Sequence, residues 1–484
     1  MQKSISFNIF YKIILNTFNI ILPILVGPYA YRTLRADSMG TVNFAETIFN
    51  YFFIFALFGV YQYGIREISK VKNEPKKVSQ LFTSLFIINF STSLLAMVAF
   101  ALFSYFQYSN ELVYPVLLIF GINFISNMFY VEWLNEAHEN YDFIAIKTII
   151  VRLIYVALLF TLIHGVDDYK KFAALLALST FLNNIISFFY IKRNVKFDFS
   201  ELTIIPHLKP LFVVVIFSNA SILYTQLDRY LIGEYVGKSY LAYFTMTFQI
   251  MVIIKTLLVS AIQATLPRLA YLSGINDEAG YESLLNKTSK LYFVTLFPAA
   301  VGLFLISDLV VLIYGGKEFA PAGSTLAVFS IYMVSTGIES ILTNQIIYIK
   351  KRENVLVKLL FLCGFINLAL NLSLLYFKLL THTTAIASTV AANTLLVVFE
   401  YIFIKKKLKV NYTLFDTGKL KYFYYSLVFI PITFIIRAFL TQTLLLALVI
   451  IGVNSLVYFL ILYFTKDEIL FILIGKIKAK FNIS

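Results

Sequence analysis

The chain has 484 residues, 60% of them hydrophobic and 14% charged, with a formal net charge of +14. Soluble domains run to about 45–50% apolar and about 25% charged residues, so an ordinary soluble enzyme is excluded, and so is a disordered chain. A single cysteine, Cys363, excludes an intrachain disulfide and a cysteine-based metal site, and His138, His164, His207 and His382 form no paired zinc motif.

Roughly 20 mostly apolar residues cross a bilayer core. Runs of that kind predict fourteen transmembrane helices, near residues 8–28, 41–60, 79–104, 112–131, 143–163, 172–191, 211–228, 240–261, 290–313, 324–348, 355–377, 383–404, 421–440 and 442–464. They are too long for barrel strands, and in lipid the backbone must satisfy its own hydrogen bonds, which makes them helices. The first run holds Asn16, Asn19 and Pro23 and has no small-residue cleavage site, so it reads as a span and not as a signal peptide. With the N-terminus inside, most of the 40 Lys and Arg residues lie on inside segments and their flanks, and only Lys255 falls mid-span. The positive-inside rule then places both termini in the cytoplasm. The basic excess meets anionic lipid there; nucleic-acid binding is not expected, because no basic soluble domain exists. The longest connection, roughly 262–289, is too short for a folded domain of about 50 residues or more. Any function therefore lies among the helices. Trp133 and many tyrosines read as interfacial aromatic belts.

The chain contains an internal echo. Residues 32–40 and 229–237 both read R-x-L-x5-G, with Arg32, Leu34 and Gly40 matching Arg229, Leu231 and Gly237. One copy joins span 1 to span 2 and the other joins span 7 to span 8. Six spans per repeat is an even number, so the halves share one orientation about an axis along the membrane normal. The expected fold is all-α and integral to the membrane. Residues 1–192 and 193–404 form two parallel-oriented six-helix bundles, and 405–484 carries helices 13 and 14 with a cytoplasmic tail.

Several spans carry polar stripes at helical spacing. Span 1 has Asn8, Lys12, Asn16 and Asn19; span 2 has Asn43, Glu46, Thr47 and Asn50. Span 7 has Ser218, Ser221, Thr225 and Asp228; span 8 has Thr245, Gln249, Thr256, Ser260 and Gln263, with Lys255 to one side. Span 10 has Thr336, Glu339, Ser340 and Thr343. A hydroxyl or amide in such a stripe also serves as glue between helices, worth about 0.6 kcal/mol. A charge at the bilayer centre costs about 2.5–3.5 kcal/mol, so Lys255, Glu46 and Glu339 point to a hydrated cavity lined by spans 1, 2, 7 and 8. Spans 13 and 14 are almost wholly apolar.

Three stretches carry a resemblance to a known family: Leu22-Pro23 with Pro28-Tyr29, Arg32-x-Leu34, Gly40 and Tyr63-Gly64-Ile65-Arg66-Glu67-Ile68; then Asp228-Arg229-Tyr230-Leu231-Ile232-Gly233; then Leu266-Pro267. The chain resembles the Wzx-type polysaccharide repeat-unit flippases. Their superfamily includes the multidrug/cation antiporters (MATE) and the lipid II flippase. The family's usual Leu-Gly after the first Arg reads Leu34-Arg35 here, which adds a positive charge to that connection and bears on its flexibility.

The resemblance implies a non-enzyme that moves an undecaprenyl-diphosphate-linked oligosaccharide from the cytoplasmic to the outer leaflet of a bacterial plasma membrane, for capsule or O-antigen. It implies alternating access, no cofactor, and coupling to H+ or Na+. Lys255, Arg32 and Arg229 would contact the diphosphate or head group, Arg66 and Arg268 would capture it at the cytoplasmic exits, and Asn16, Asn19, Asn43 and Gln249 would line the polar path. Asp228, Glu46 and Glu339 would couple the ion, and spans 13 and 14 would hold the prenyl chain. Polymerase and chain-length machinery are the expected protein partners. The alternatives are a membrane polymerase or glycosyltransferase, against which the short outer connections and the isolated Asp167-Asp168 argue, and a multidrug/cation antiporter with two fewer spans.

Overall fold

The computed structural model describes residues 5–481, with side chains apart from those of 5, 6, 8, 9, 216–225, 261, 473 and 476–481. The described residues form helices and connections only. In chain order the α-helices are α1 (Ile5–Leu57), α2 (Val60–Val71), α3 (Pro75–Tyr108), α4 (Tyr114–Met128), α5 (Glu132–Ala137), α6 (Tyr141–Leu162), α7 (Tyr169–Lys192), α8 (Ile205–Leu231), α9 (Lys238–Gln263) and α10 (Leu266–Gly274). They continue as α11 (Glu278–Leu305), α12 (Ser307–Gly315), α13 (Gly323–Ser340), α14 (Glu353–Tyr376), α15 (His382–Phe403), α16 (Thr417–Ser426), α17 (Phe429–Phe439), α18 (Thr443–Phe464) and α19 (Glu468–Phe481).

Among the described residues, 11 helical stretches are long and apolar enough to cross a membrane. Three of the fourteen predicted spans are not counted there as stretches of their own. Residues 8–28 and 41–60 share α1, 112–131 contains the 15-residue α4, and 211–228 falls within α8. The chain divides into two compact units, Met1–Ala242 and Tyr243–Ser484, with the division inside α9.

In the first unit the predicted loop between spans 1 and 2 is absent. The 53-residue α1 is broken by one residue, Arg35, at φ 62° and ψ 179°. Leu22 and Asn50 line the same cavity, yet 28 residues of straight helix would hold them about 40 Å apart. The chain therefore folds back at Arg35. Helices α3, α4, α6 and α7 pack around this hairpin. Pro75 and Pro115 sit in the first turns of α3 and α4, where the missing N–H has no partner to lose.

The two copies of R-x-L-x5-G meet inside this unit. Leu34 and Leu231 are buried. Gly40 abuts the Lys238 backbone, Gly233 abuts the Phe44 ring, and the Ser239 hydroxyl donates to the Asp37 carboxylate. Gly64 of the stretch Tyr63–Ile68 is pressed against the Trp133 ring. Trp133 is 1% exposed, in a core with Phe82, Val78 and Leu211. This corrects the aromatic-belt reading: the indole fills the base of the bundle and donates to the Tyr130 carbonyl.

The segment after α7 is fastened along α3. Asp198 N donates to Thr83 Oγ1 at 2.8 Å and Thr203 N to Ser84 Oγ at 3.1 Å. Phe197 stacks on Phe82 with ring centroids 5.2 Å apart.

The second unit is built on α11, α13, α14 and α15, with α16–α18 packed beside α11 and α12. Arg437 of α17 grips both carboxyl oxygens of Asp308 on α12, at 2.7 and 2.8 Å. Asn367 and Asn371 of α14 face Ser388 and Thr389 of α15, all four buried and hydrogen-bonded to one another. Polar groups of this kind replace with each other the bonds that lipid cannot supply.

Candidate functional site

Two charged clusters sit inside apolar helices, one in each unit. In the first unit, α1 and α8 bring Glu46, Asp228 and Arg229 together. The Arg229 charge acts on both Glu46 and Asp228, and Asp228 is 1% exposed. Glu46 and Asp228 come from the stripes on spans 2 and 7, and Arg229 opens the second copy of the repeated motif. Glu46 also lines a cavity of about 360 Å³ inside the same unit. Its polar walls are Asn50 of α1, Asn123 of α4, Arg152 and Tyr155 of α6, and Ser179 of α7.

Arg152 corrects the reading that Lys255 alone lies mid-span. It occupies the middle of the 22-residue α6, not a flank. Among the described residues it makes no hydrogen bond or ion pair, and it faces a cavity that also holds the buried, unpartnered Oδ1 of Asn123. A guanidinium without a counter-ion is costly at this depth, so an anion or the cavity water has to meet it. The nearby Lys147 is different. It bonds both carboxyl oxygens of Glu132, at 2.9 and 3.1 Å, and Ser187 Oγ at 2.6 Å, a closed ion pair that ties α5, α6 and α7.

In the second unit, Lys255 of α9 and Glu339 of α13 interact as charges. Glu339 accepts from Asn393 Nδ2 at 3.1 Å. Glu400, also on α15, lies close enough to Glu339 for their charges to interact and accepts from Thr343 Oγ1 at 2.8 Å. Glu400 is 0% exposed. Sequence reasoning passed over it, although an acid inside the predicted span 383–404 is the same signal that marked Glu46 and Glu339.

The same unit holds an apolar cavity of about 590 Å³, lined by Ile254 of α9 (the residue before Lys255), Val294 and Pro298 of α11, Phe429 of α17, and Ile450 and Tyr458 of α18. The Tyr458 hydroxyl is bonded to the Val294 carbonyl at 2.9 Å, which leaves its ring as an apolar wall.

The other predicted residues are dispersed. Arg32 is exposed on α1. Arg66 lies on α2, bonded to Glu67 at 2.8 Å and stacked over Tyr63. Arg268 is exposed on α10, over the Tyr271 ring. Asn16 is exposed, Gln249 half-buried and Asn43 buried, while Asn19 Oδ1 is buried without a hydrogen-bond partner. The side chains of Asn8, Ser218, Ser221 and Thr225 lie outside those described.

Residues 6–273 match the family described as polysaccharide biosynthesis protein. This stretch is more than half of the chain and contains all three of the motifs quoted above. The chain belongs to this family. A protein named putative O-antigen transporter from Shigella dysenteriae is 23% identical over 376 residues, 76% of this chain and 93% of that protein. A second one of that name, from Escherichia coli (strain K12), is 24% identical over 174 residues, 34% of this chain and 40% of that protein. Among solved structures, lipid II flippase MurJ in an inward closed conformation superposes with a TM-score of 0.74 at 17% identity, covering 95% of this chain and 100% of that one. The fold is therefore the MurJ-like all-helical membrane fold.

Proposed function

We propose that this protein flips an undecaprenyl-diphosphate-linked oligosaccharide repeat unit from the cytoplasmic to the outer leaflet of a bacterial plasma membrane, for O-antigen or capsule assembly. One observation carries this reading: consecutive residues of α9 serve two chemistries. Ile254 lines the large apolar cavity, and Lys255 belongs to the charged cluster with Glu339. An amphiphile with an anionic head and a hydrocarbon tail needs that pairing. Each unpaired sugar hydroxyl taken into hydrocarbon costs on the order of 1–3 kcal/mol, so the head needs a polar path. Each buried methylene of the prenyl tail gains about 0.8 kcal/mol, so the tail stays in an apolar groove bordered by α17 and α18.

In this reading the fourteen spans form two six-helix bundles, 1–192 and 193–404, with helices 13 and 14 appended, and both termini face the cytoplasm. Transport proceeds by alternating access. Lys255, Arg32 and Arg229 meet the diphosphate as cations matched to an anion, with Arg66 and Arg268 capturing it first. Asn16, Asn19, Asn43 and Gln249 offer hydrogen bonds to the sugar. Asp228, Glu46 and Glu339 serve ion coupling, to H+ or Na+. A polymerase and chain-length proteins receive the product. The family match and the relatives named as O-antigen transporters support this reading.

The test is leaflet exchange of a fluorescent lipid-linked oligosaccharide in vesicles that contain the purified protein. Exchange above that of empty vesicles is expected, falling at least tenfold in Lys255→Glu. No exchange by the native protein overturns the reading, and unchanged exchange by Lys255→Glu removes Lys255 from it.

A further inference from the structure

The cluster on α9, α13 and α15 contains two acids and one base. Lys255 supplies a single positive charge, and it acts on Glu339. Glu400 has no cation beside it among the described residues. Of its two carboxyl oxygens, one accepts from Thr343 Oγ1 and Oε2 is buried with no hydrogen-bond partner. Asn393 Oδ1, on the same helix, is likewise buried and unpartnered. The elements packed on α15 are α13, α14 and the segments 341–347 and 404–408; the last carries Lys405, Lys406 and Lys407, none of which is among the charges that act on Glu400. The charged or titratable groups they bring toward Glu400 are Glu339 and Cys363, and neither is a cation.

Two neighbouring carboxylates do not both ionise when one cation serves them, and a lone buried charge costs several kcal/mol. The cluster becomes neutral by admitting one more positive charge. A proton needs only one oxygen. It would also turn an unpartnered acceptor into the O–H donor that this acceptor-rich site lacks.

We propose that Glu400 is an exchangeable proton site, kept in balance by the Lys255–Glu339 pair. The proton adds to the carboxylate oxygen when the site opens to one side and leaves to water when it opens to the other. That the proton drives transport rests on the flippase reading; that Glu400 carries it does not.

Infrared spectra of the full chain in lipid, in H2O and D2O at neutral pH, test the proton directly. A deuterium-sensitive protonated-carboxyl band is expected. Glu400→Gln should remove it. Glu339→Gln should remove it too, because Lys255 then balances Glu400. Lys255→Met should add a second protonated carboxyl. A band that survives Glu400→Gln overturns the proposal, as does a band abolished by sodium ions. Should Glu400→Gln fail to fold, Lys255→Met decides, and no added band overturns it. In vesicles, a tenfold proton gradient should speed leaflet exchange severalfold in the native protein and leave Glu400→Gln unaffected. Absence of exchange in the native protein defeats the flippase reading while leaving the infrared result to judge Glu400.

Discussion

Gly40 lies so close to Lys238 that a methyl group on its Cα would collide with the Lys238 carbonyl oxygen. The atom in the way is backbone, so it has no rotamer by which to escape. The two copies of the repeated motif are joined by this contact and by the bond between Ser239 and Asp37. Gly40→Ala is expected to destabilise the protein by about 3 kcal/mol, the upper end for overpacking. Thermal denaturation in detergent would show it as a lowered midpoint; a midpoint equal to the native one would mean that the contact has slack.

Arg35 presents the opposite case. With φ 62° and ψ 179° it occupies backbone space that is essentially reserved for glycine and costs other residues about 1–3 kcal/mol. This is the position at which the resembled family carries glycine. Arg35→Gly is expected to raise thermal stability by about that amount. A fall in stability would show that the guanidinium's own interactions outweigh the backbone strain.

Arg152 faces a polar cavity with no partner among the described residues, so the fold gains nothing there from its charge. Arg152→Met should leave thermal stability within about 1 kcal/mol of native or increase it, while lowering leaflet exchange at least tenfold. Unfolding of the variant would place Arg152 among the structural ion pairs, with Lys147. Normal exchange would remove the cavity from the transport path.

Hydropathy made the helices legible, because length and apolarity alone decide whether a segment spans a bilayer. Helical spacing also placed Glu46 and Asp228 on inward faces, and the structure sets Arg229 against both. What spacing does not reveal is which faces meet. Arg152 already falls at the middle of the predicted span 143–163, so counting it with the basic inside flanks is a misreading that the extent of α6 makes plain. Glu400 carries the same signal, an acid inside the predicted span 383–404, but at its inner end, where a charge reads as the edge of a span. Trp133 was misread because tryptophan favours interfaces in general, whereas Gly64 leaves a space that the indole fills here. The reversal between spans 1 and 2 was legible, but not that it turns on Arg35 alone, since arginine carries no signal for a left-handed backbone.

The bonds from Asp198 and Thr203 to Thr83 and Ser84 give the stretch between α7 and α8 the character of a strut, not a tether. Its length is set by where its fastenings fall on α3, so it has no slack to absorb a displacement at the start of α8 and must pass it on. Changes to its outward-facing side chains would go unnoticed, whereas adding or deleting a single residue would put every fastening beyond it out of step.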